Sequence, residues 1–281
     1  VIDDINDDDG SNSSSAMTKN SMISCMAFND KSMVICSGHH DGSIRLFDCQ
    51  EDRKLKVIFS GHRGCVTCIA LDQTGLRIAS GGKDTEIVIW DVANQSGLFR
   101  LKGHKGPVNK LEFMRQHPWI LISASSDTYI KLWDLETQHC FRTIVGHHTE
   151  VWSFVLLRND TEIISGGSDS ELKVWKITFA EDEQEDFQKK LAESRAKRLK
   201  RLQLLGDDNH DDDDINNDED VDNFILIENF GTILRKSMEK LTNIFVDQTE
   251  RLLVCHGKDN FIELFKIRSN EEISMKMKKR I

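Results

Sequence analysis

The sequence predicts an all-β fold, a β-propeller of four-stranded blades. Five segments repeat one pattern, in which an Asp stands six residues before an aromatic residue. Successive repeats are 42 or 43 residues apart, except for a last step of 90. Each repeat contains short apolar or alternating segments separated by turn sequences, which is typical of strands. Self-similarity at about 43 residues, with about four strands per unit, indicates propeller blades.

Several markers recur in register, and their coincidence supports the prediction. The repeated acids are Asp41, Asp84, Asp127, Asp169 and Asp259. The aromatic residues are Phe47, Trp90, Trp133, Trp175 and Phe265. Four residues before each Asp stand Ser37, Ser80, Ser123, Ser165 and Cys255. Gly-His pairs occur at Gly61-His62, Gly103-His104 and Gly146-His147.

The elements of one repeat follow a fixed order. A first strand comes after the Gly-His pair and is apolar and often β-branched, as in VTCIAL, VNKLEF and VWSFVL. Such a composition is expected of a strand that is buried on both faces. A second strand ends in Ser-Gly or Ser-Ala, and a polar turn such as GGKDTE follows. A third strand alternates toward the aromatic residue, and a fourth, such as LFRLKG, leads into the next Gly-His pair.

Composition divides the chain into five segments. We predict an acidic disordered segment over 1–20, four repeats over 21–177, a charged low-complexity insertion over 178–223, a fifth repeat over 224–268 and a basic tail over 269–281. We interpret the step of 90 residues as one insertion between two blades. Its basic stretch, Lys189–Arg201, is flanked by acidic runs. This stretch is either self-neutralised and solvated or a docking or nuclear-import element.

The net charge of −10 is concentrated in two segments. Residues 1–16 hold five acids and no base, and residues 178–223 hold 16 acids and 7 bases, so the rest of the chain is mildly basic. This balance neither demands nor excludes RNA as a partner. No run approaches the roughly 20 apolar residues of a membrane span, so an integral membrane protein is not expected. An odd number of cysteines without secretory context favours reduced thiols in an intracellular protein.

The repeats resemble the WD-repeat family, with that dipeptide at Trp90-Asp91 and Trp133-Asp134. The resemblance implies a buried hydrogen-bond network in each blade, because unpaired buried polar groups are costly. Repeats two to four would use His62, Ser80, Asp84 and Trp90; His104, Ser123, Asp127 and Trp133; and His147, Ser165, Asp169 and Trp175. Repeats one and five lack the Gly-His pair, so we expect weaker networks there. Five repeats are also fewer than the usual seven, so we expect the chain to be a fragment with blades missing upstream of Val1.

Three stretches carry a closer resemblance: GGKDTEIVIWDVANQSGLFRLKGHKGPV, LETQHCFRTIVGHHTEVWSFVLL and SDSELKVWKI. They resemble the first propeller of the WD repeat-containing protein 3 family, the U3 small nucleolar RNA-associated protein 12 type. The resemblance implies a non-catalytic nucleolar scaffold in the UTP-B subcomplex of the small-subunit processome. Such a scaffold supports pre-rRNA processing and maturation of 18S rRNA in 40S ribosome biogenesis. Its partners would be other WD-repeat processome subunits, the U3 snoRNP and pre-rRNA, with no cofactor, membrane or small-molecule substrate.

Six residues are candidate partner contacts, because they should lie on exposed loops of one face. They directly follow a Gly-His pair or directly precede a turn Asp: Arg63, Lys105, His148, Lys83, Ser126 and Ser168. The alternative function is a substrate receptor of a cullin-based ubiquitin ligase, or another generic interaction scaffold. The Trp-Asp-x-Arg sequence common in such receptors is absent, since Val-Ala or Leu-Glu follows Trp-Asp here.

The residue types that could support catalysis are better explained by a structural role. The Ser, Asp and His sets recur once per blade, and we identify no phosphate-binding loop and no acid or His unique to one blade. In the Cys65–Cys68 pair, a spacing of three on a strand places the side chains on opposite faces, and no second pair completes a zinc site. We expect His39-His40 to form a solvated turn. Trp119 and Trp152 are expected in the core or on a loop face.

Overall fold

The computed structural model describes residues 21–49, 55–179 and 225–268. These residues form five antiparallel sheets that follow one another along the chain, each a blade of a propeller. The predicted all-β fold class is therefore confirmed, with strands and no helix within these ranges. The predicted acidic segment, the basic stretch Lys189–Arg201 and the basic tail lie outside the described residues.

The strands of each blade follow in chain order. Blade one contains β1 (Ile23–Asn29), β2 (Val34–His39), β3 (Ser43–Asp48) and β4 (Leu55–Ser60). Blade two contains β5 (Val66–Leu71), β6 (Arg77–Gly82), β7 (Ile87–Asp91) and β8 (Ser96–Leu101). Blade three contains β9 (Val108–Phe113), β10 (Ile120–Ser125), β11 (Ile130–Asp134) and β12 (His139–Ile144). Blade four contains β13 (Val151–Leu157), β14 (Glu162–Gly167), β15 (Glu171–Phe179) and β16 (Ile225–Leu234). Blade five contains β17 (Leu241–Val246), β18 (Leu252–Gly257) and β19 (Ile262–Lys266).

The hydrophobic core lies between adjacent blades. The first strands of neighbouring blades contact one another, so β1, β5, β9, β13 and β17 form the inner wall. Four clusters of buried apolar side chains fill the successive gaps, with Trp133 and Phe154 among the fully buried members. Both faces of an inner strand that lies between two described blades, such as β13, are therefore covered, which explains its apolar, β-branched sequence.

Glycine on the second strand lets adjacent blades approach closely. A Cβ atom on Gly81 would lie 2.7 Å from the Val108 Cγ1 atom of blade three and 2.8 Å from Cys68 Sγ. A Cβ atom on Gly166 would lie 3.1 Å from Leu241 of blade five. In blades two and four the glycine after the serine thus allows this close approach of the next blade, because a Cβ atom there would be too close to its neighbours.

The insertion lies inside blade four, and this corrects its predicted place between two blades. The chain leaves the described region after Phe179 at the end of β15 and returns at Ile225 at the start of β16, and these two residues pair across the hairpin. The first strand after the insertion, Ile225–Leu234, is thus the fourth strand of blade four, although the predicted fifth repeat begins at 224. The root of this hairpin packs on blade three, where the His117 ring lies 4.6 Å from that of Phe179 and 5.5 Å from that of Trp119.

The cysteines are all free thiols. Cys65 precedes β5 and Cys68 lies on it, and both are buried. The Cys68 thiol donates to the carbonyl oxygen of Val108 on the next blade. Burial raises the pKa of the Cys36 thiol to about 12 and raises that of Cys68 as well. Because a neutral buried thiol is a weak nucleophile and a poor metal ligand, these side chains serve packing.

Candidate interaction face

Blade two carries a continuous network of buried polar side chains. The Nδ1 atom of His62 lies 2.9 Å from Asp84 Oδ2, and its Nε2 atom lies 2.7 Å from Ser80 Oγ. The indole Nε1 of Trp90 donates to the same Ser80 oxygen at 2.8 Å. A carboxylate at Nδ1 requires the His62 proton there, so Nε2 accepts from the Ser80 hydroxyl. Asp84 also accepts from the backbone N–H of Arg63 at 2.9 Å, which joins two loops of the blade.

Blade three repeats this arrangement. The Nδ1 atom of His104 lies 2.7 Å from Asp127 Oδ2, its Nε2 lies 2.7 Å from Ser123 Oγ, and Trp133 Nε1 donates to Ser123 at 2.8 Å. Burial lowers the pKa of His104, and the hydrogen bond with Asp127 acts in the opposite direction. Burial alone would raise the pKa of Asp127, but the His104 hydrogen bond and two backbone N–H donors lower it. The loops that hold this network are therefore tied together by charge-assisted hydrogen bonds.

Blade four keeps half of the network. His147 Nε2 lies 2.7 Å from Ser165 Oγ, and Trp175 donates to the same oxygen at 2.8 Å. The buried Nδ1 atom of His147 has no hydrogen-bond partner among the described residues. Asp169 instead accepts from the Thr149 hydroxyl at 3.0 Å. Burial lowers the pKa of His147 to about 4, so this histidine is neutral in the folded protein at pH 7.

Blade one uses a different histidine, His39, which the repeat pattern does not mark. His39 is only 2% exposed, so the expected solvated turn is wrong for it, although its neighbour His40 is exposed. The Nε2 atom of His39 lies 3.0 Å from Ser37 Oγ, and its Nδ1 atom lies 2.9 Å from the Ser21 carbonyl oxygen. His39 occupies the repeat position that is Gly82 in blade two. Its ring therefore reaches the Ser from another point on the blade.

Blade five replaces the histidine with an arginine, again without a sequence signal in the repeat. The side chain of Arg235 is 1% exposed and donates to Glu263 at 3.0 Å and to the Glu239 carbonyl oxygen at 3.0 Å. Glu263 also accepts from the backbone N–H of Lys236 at 2.7 Å. An ion pair thus ties the loops of this blade where a His–Asp pair ties those of blades two and three.

The six predicted contact residues lie on the face where these loops meet. Arg63, Lys83, Lys105 and His148 are exposed. Ser126 and Ser168 are half-buried and already bonded within the chain. Their hydroxyl oxygens each accept a hydrogen bond at 3.0 Å, from Asn109 Nδ2 and Trp152 Nε1. We call this surface the loop face, defined by the exposed residues Arg63, Lys83, Lys105 and His148.

The loop face is basic across blades two and three. Asp84 and Asp127 are turned inward and bonded to histidine and backbone N–H groups. Arg63, Lys83 and Lys105 form no ion pair with a described residue. These side chains therefore present three solvated cations above a rigid base, an arrangement suited to an anionic partner surface.

Trp152 marks the boundary between blades four and five. The Lys240 Nζ atom lies 3.0 Å from the centroid of the indole ring, and the indole N–H donates to Glu150 at 3.1 Å and to Ser168. At the same inner-strand position, Asn109 donates at 2.7 Å to the Val151 carbonyl oxygen of the next blade. A cation–π contact thus replaces a hydrogen bond between blades. This half-buried Trp152 lies on the loop face, whereas Trp119 packs against the core.

One inner strand carries an acid that is unique to its blade, so the prediction that no such acid exists is wrong. Glu112 on β9 stands where the other inner strands have Ala27, Ala70, Val155 and Phe245. Alignment of the five inner strands would have revealed it. Burial raises the pKa of Glu112 to about 7.

The described residues contain neither a metal-binding cluster nor a membrane-spanning helix. No group of three His, Cys, Asp or Glu side chains in the part of the chain that the structure describes is placed to hold a metal ion. Within the same ranges no helix has the length and apolar character needed to cross a membrane.

Comparison with known proteins yields one family match and several partial relatives. The sequence matches the model of the WDR3 first beta-propeller domain over residues 4–177, more than half of the chain. It is similar to WD repeat-containing protein 3 of Homo sapiens, with 46% identity over 46 residues, which cover 16% of this chain and 5% of the relative.

Two other relatives match part of the chain. Periodic tryptophan protein 2 homolog of Dictyostelium discoideum is 33% identical over 92 residues, 32% of this chain and 10% of the relative. Small ribosomal subunit protein RACK1y of Oryza sativa subsp. japonica is 33% identical over 81 residues, 28% of this chain and 24% of the relative. The chain thus spans a quarter or less of the length of the relatives that it matches.

Proposed function

The chain belongs to the family of the WDR3 first β-propeller domain, and from that membership we propose that it is a non-catalytic scaffold in ribosome biogenesis. More finely, we propose that it acts in the UTP-B subcomplex of the small-subunit processome in the nucleolus. There it would support pre-rRNA processing and 18S rRNA maturation together with the U3 snoRNP. The names of two relatives, WD repeat-containing protein 3 and periodic tryptophan protein 2 homolog, support this assignment.

The burial and the hydrogen bonds of the Ser, His and Asp sets support a structural role for these residues. Ser80, Ser123 and Ser165 are fully buried, and each oxygen accepts a hydrogen bond from a tryptophan of the same blade. A nucleophile needs an exposed oxygen that can reach a substrate. These sets therefore hold loops in place and do not form hydrolytic triads.

The loop face is the single observation that carries the proposed mechanism. Its exposed residues Arg63, Lys83, Lys105 and His148 stand on loops that the buried networks fix in position. Rigid presentation of charge lowers the conformational entropy lost on binding. We propose that these residues contact processome subunits or RNA phosphates, and that Ser126 and Ser168 act by orienting Asn109 and Trp152.

A pull-down tests the pathway. The tagged chain, purified from cell extract at moderate salt, should co-purify other WD-repeat processome subunits, U3 snoRNA and pre-rRNA, as read by mass spectrometry and RNA probing. Recovery of a cullin adaptor without ribosomal factors would favour the alternative function, a ubiquitin-ligase receptor, and would refute the proposed one.

Charge reversal tests the loop face. The double variant Arg63→Glu/Lys105→Glu should lose partner recovery severalfold, because repulsion replaces attraction at a salt-sensitive surface. Both side chains are exposed, so the thermal unfolding midpoint should stay unchanged. The matched control is Lys31→Glu/Arg251→Glu, two exposed cations in loops at the opposite ends of the strands. Equal recovery by a folded Arg63→Glu/Lys105→Glu variant would contradict the proposal.

A further inference from the structure

The described part of the chain begins beside the loop face. The hydroxyl oxygen of Ser21 accepts a hydrogen bond at 3.1 Å from the backbone N–H of Asp41, in the turn of blade one. This turn packs directly against blade two, because a Cβ atom on Gly42 would lie 2.6 Å from the carbonyl oxygen of His62. The sequence before Ser21 therefore joins the fold next to the loop that carries Arg63.

The cations of the loop face lie close to this point. A Cβ atom on the glycine that follows Arg63 would lie 3.6 Å from the Lys83 Cβ atom, so the loops of these two cations are in contact. Lys105 precedes blade three, and stacked sheets lie about 10 Å apart, which places it roughly 20 Å from blade one. The exposed acid of the first turn, Asp41, accepts hydrogen bonds from the backbone N–H and the hydroxyl of Ser43. The three cations outnumber it, so this edge of the loop face attracts anions.

The sequence that precedes Ser21 carries the complementary charge. Residues 1–16 hold five Asp and no Lys or Arg, and all five Asp lie within residues 3–9. From Asp9 to Ser21 is a step of 12 residues, and a chain of that length spans at most about 40 Å. This length exceeds the distance to Lys105, so the acidic residues can reach all three cations.

A second acidic segment, within residues 178–223, is the alternative occupant of this surface. It joins the fold at Phe179 and Ile225, at the ends of β15 and β16 that point away from the loop face. Its charge is also mixed, with 16 acids and 7 bases. Position and charge therefore both favour the segment that precedes Ser21.

We propose that residues 3–9 occupy the loop face of their own chain, with the aspartates opposite Arg63, Lys83 and Lys105. A tether of this length gives the segment an effective concentration on the order of a millimolar at the surface, so weak charge pairing is enough to fill it at low salt. The contact does not depend on the proposed scaffold function. If that function also holds, an anionic partner must displace the segment, which therefore acts as a competitor within the chain.

The test compares two charge-matched variants of the whole chain by backbone amide NMR at low salt. The first variant combines the substitutions Asp3→Asn, Asp4→Asn, Asp7→Asn, Asp8→Asn and Asp9→Asn. The control removes the same charge from the insertion through Asp207→Asn, Asp208→Asn, Asp211→Asn, Asp212→Asn and Asp213→Asn.

The N–H signals of the loop face report whether the segment is bound. We expect the signals of Arg63, Lys83 and Lys105 to differ from the wild type in the first variant and to match it in the control. In about 0.5 M salt the signals of the first variant and the wild type should converge, because salt screens charge pairing at exposed sites.

An added peptide tests the same surface without the tether. The N-acetylated peptide of residues 1–16 should bind the first variant saturably and at least about threefold more tightly than it binds the wild type or the control, whose own segments compete. The change Arg63→Glu/Lys105→Glu, made in the first variant, should abolish this binding. Both side chains are exposed, so we expect this protein to stay folded.

The opposite results overturn the inference. Unchanged loop-face signals in the first variant would show that residues 3–9 do not bind there, and changed signals in the control would assign the surface to the insertion or to net charge alone. Peptide-induced shifts at Lys31 and Arg251 as large as those at Arg63 would show unspecific attraction between opposite charges. Because no partner takes part in these measurements, failure here leaves the pull-down result for the scaffold unaffected.

Discussion

Four blades satisfy an equivalent buried serine with different partners, and blade five has Cys255 in its place. In blades two and three a histidine links the serine to an aspartate, whereas in blade four the histidine stops at the serine. In blade one the ring of His39 arrives from another strand position, and in blade five Arg235 pairs with Glu263. The repeat predicts which residues share a blade, but it does not predict which atoms meet.

Substitution of one aspartate should show how much the complete network stabilises the fold. Asp127→Ala should lower the free energy of unfolding by roughly 2–4 kcal/mol, because His104 and two backbone N–H groups lose their acceptor. Asp169→Ala should cost about 1 kcal/mol, because Asp169 does not bond His147. Urea denaturation measures both. Equal losses would contradict the difference drawn between the two blades.

His147 should make the fold sensitive to acid. Its pKa is about 4 in the folded protein against about 6.5 when unfolded, so the unfolded state takes up the proton first as the pH falls. The contribution of neutral His147 to the free energy of unfolding is complete above pH 6.5, and it is lost as the pH falls from 6.5 to 4. Between pH 7 and pH 5, the free energy of unfolding of the wild type should therefore fall by about 2 kcal/mol more than that of the His147→Gln variant. Parallel pH profiles of the two proteins, measured by urea denaturation, would refute this.

The residues that the sequence did not reveal share a physical reason. His62, His104 and the serines stand at a fixed period, so counting finds them. His39 and Arg235 occur once each, and a period cannot mark a single occurrence. A long side chain can fill one space from several backbone positions, so contact depends on the folded backbone.

At the scale of elements, the strand order of a blade was predictable, but the assignment of β16 was not. The predicted fifth repeat begins at 224, close to the start of β16 at Ile225. Its partner β15 is separated from it by the charged insertion, and only the pairing of Phe179 with Ile225 shows that both belong to blade four. Sequence separation conceals such pairing because the repeat markers lie on other strands.

A glycine substitution should measure the spacing between blades. Gly81→Ala should lower the free energy of unfolding by roughly 1–3 kcal/mol, because the new Cβ would lie 2.7 Å from the branched side chain of Val108. Gly231→Ala on β16 is the matched control, since no atom lies within 4 Å of its Cβ position. Thermal denaturation compares the two. If the Gly81→Ala protein were as stable as the control, the space between the blades would be able to accommodate an added methyl group, and the prediction would be wrong.

At the scale of the whole molecule, burial is deepest in the middle of the described blades. Strands β10 and β14 are almost wholly buried. The first and last described blades are more exposed: Met26 on β1 is 62% exposed, and Ile262 on β19 is 68% exposed. Local stability should follow this gradient, because strands with few buried apolar contacts open more easily.

Hydrogen exchange read by mass spectrometry tests the gradient. Backbone amides of β10 and β14 should exchange at least tenfold more slowly than those of β1 and β19. The comparison needs no variant, since the strands within one chain serve as references for one another. Uniform exchange across all five blades would mean that they open as one unit and would contradict the prediction.

The β15–β16 hairpin has a consequence for how such a chain tolerates change in length. Because Phe179 and Ile225 already pair, the blade fixes both ends of the intervening segment at hydrogen-bonding distance. The entropic free-energy cost of closing a loop grows only with the logarithm of its length, by about 0.6 kcal/mol for each doubling. The hairpin is thus a site where evolution can lengthen, shorten or exchange sequence almost freely, and where an engineer can graft a foreign domain without redesigning the propeller.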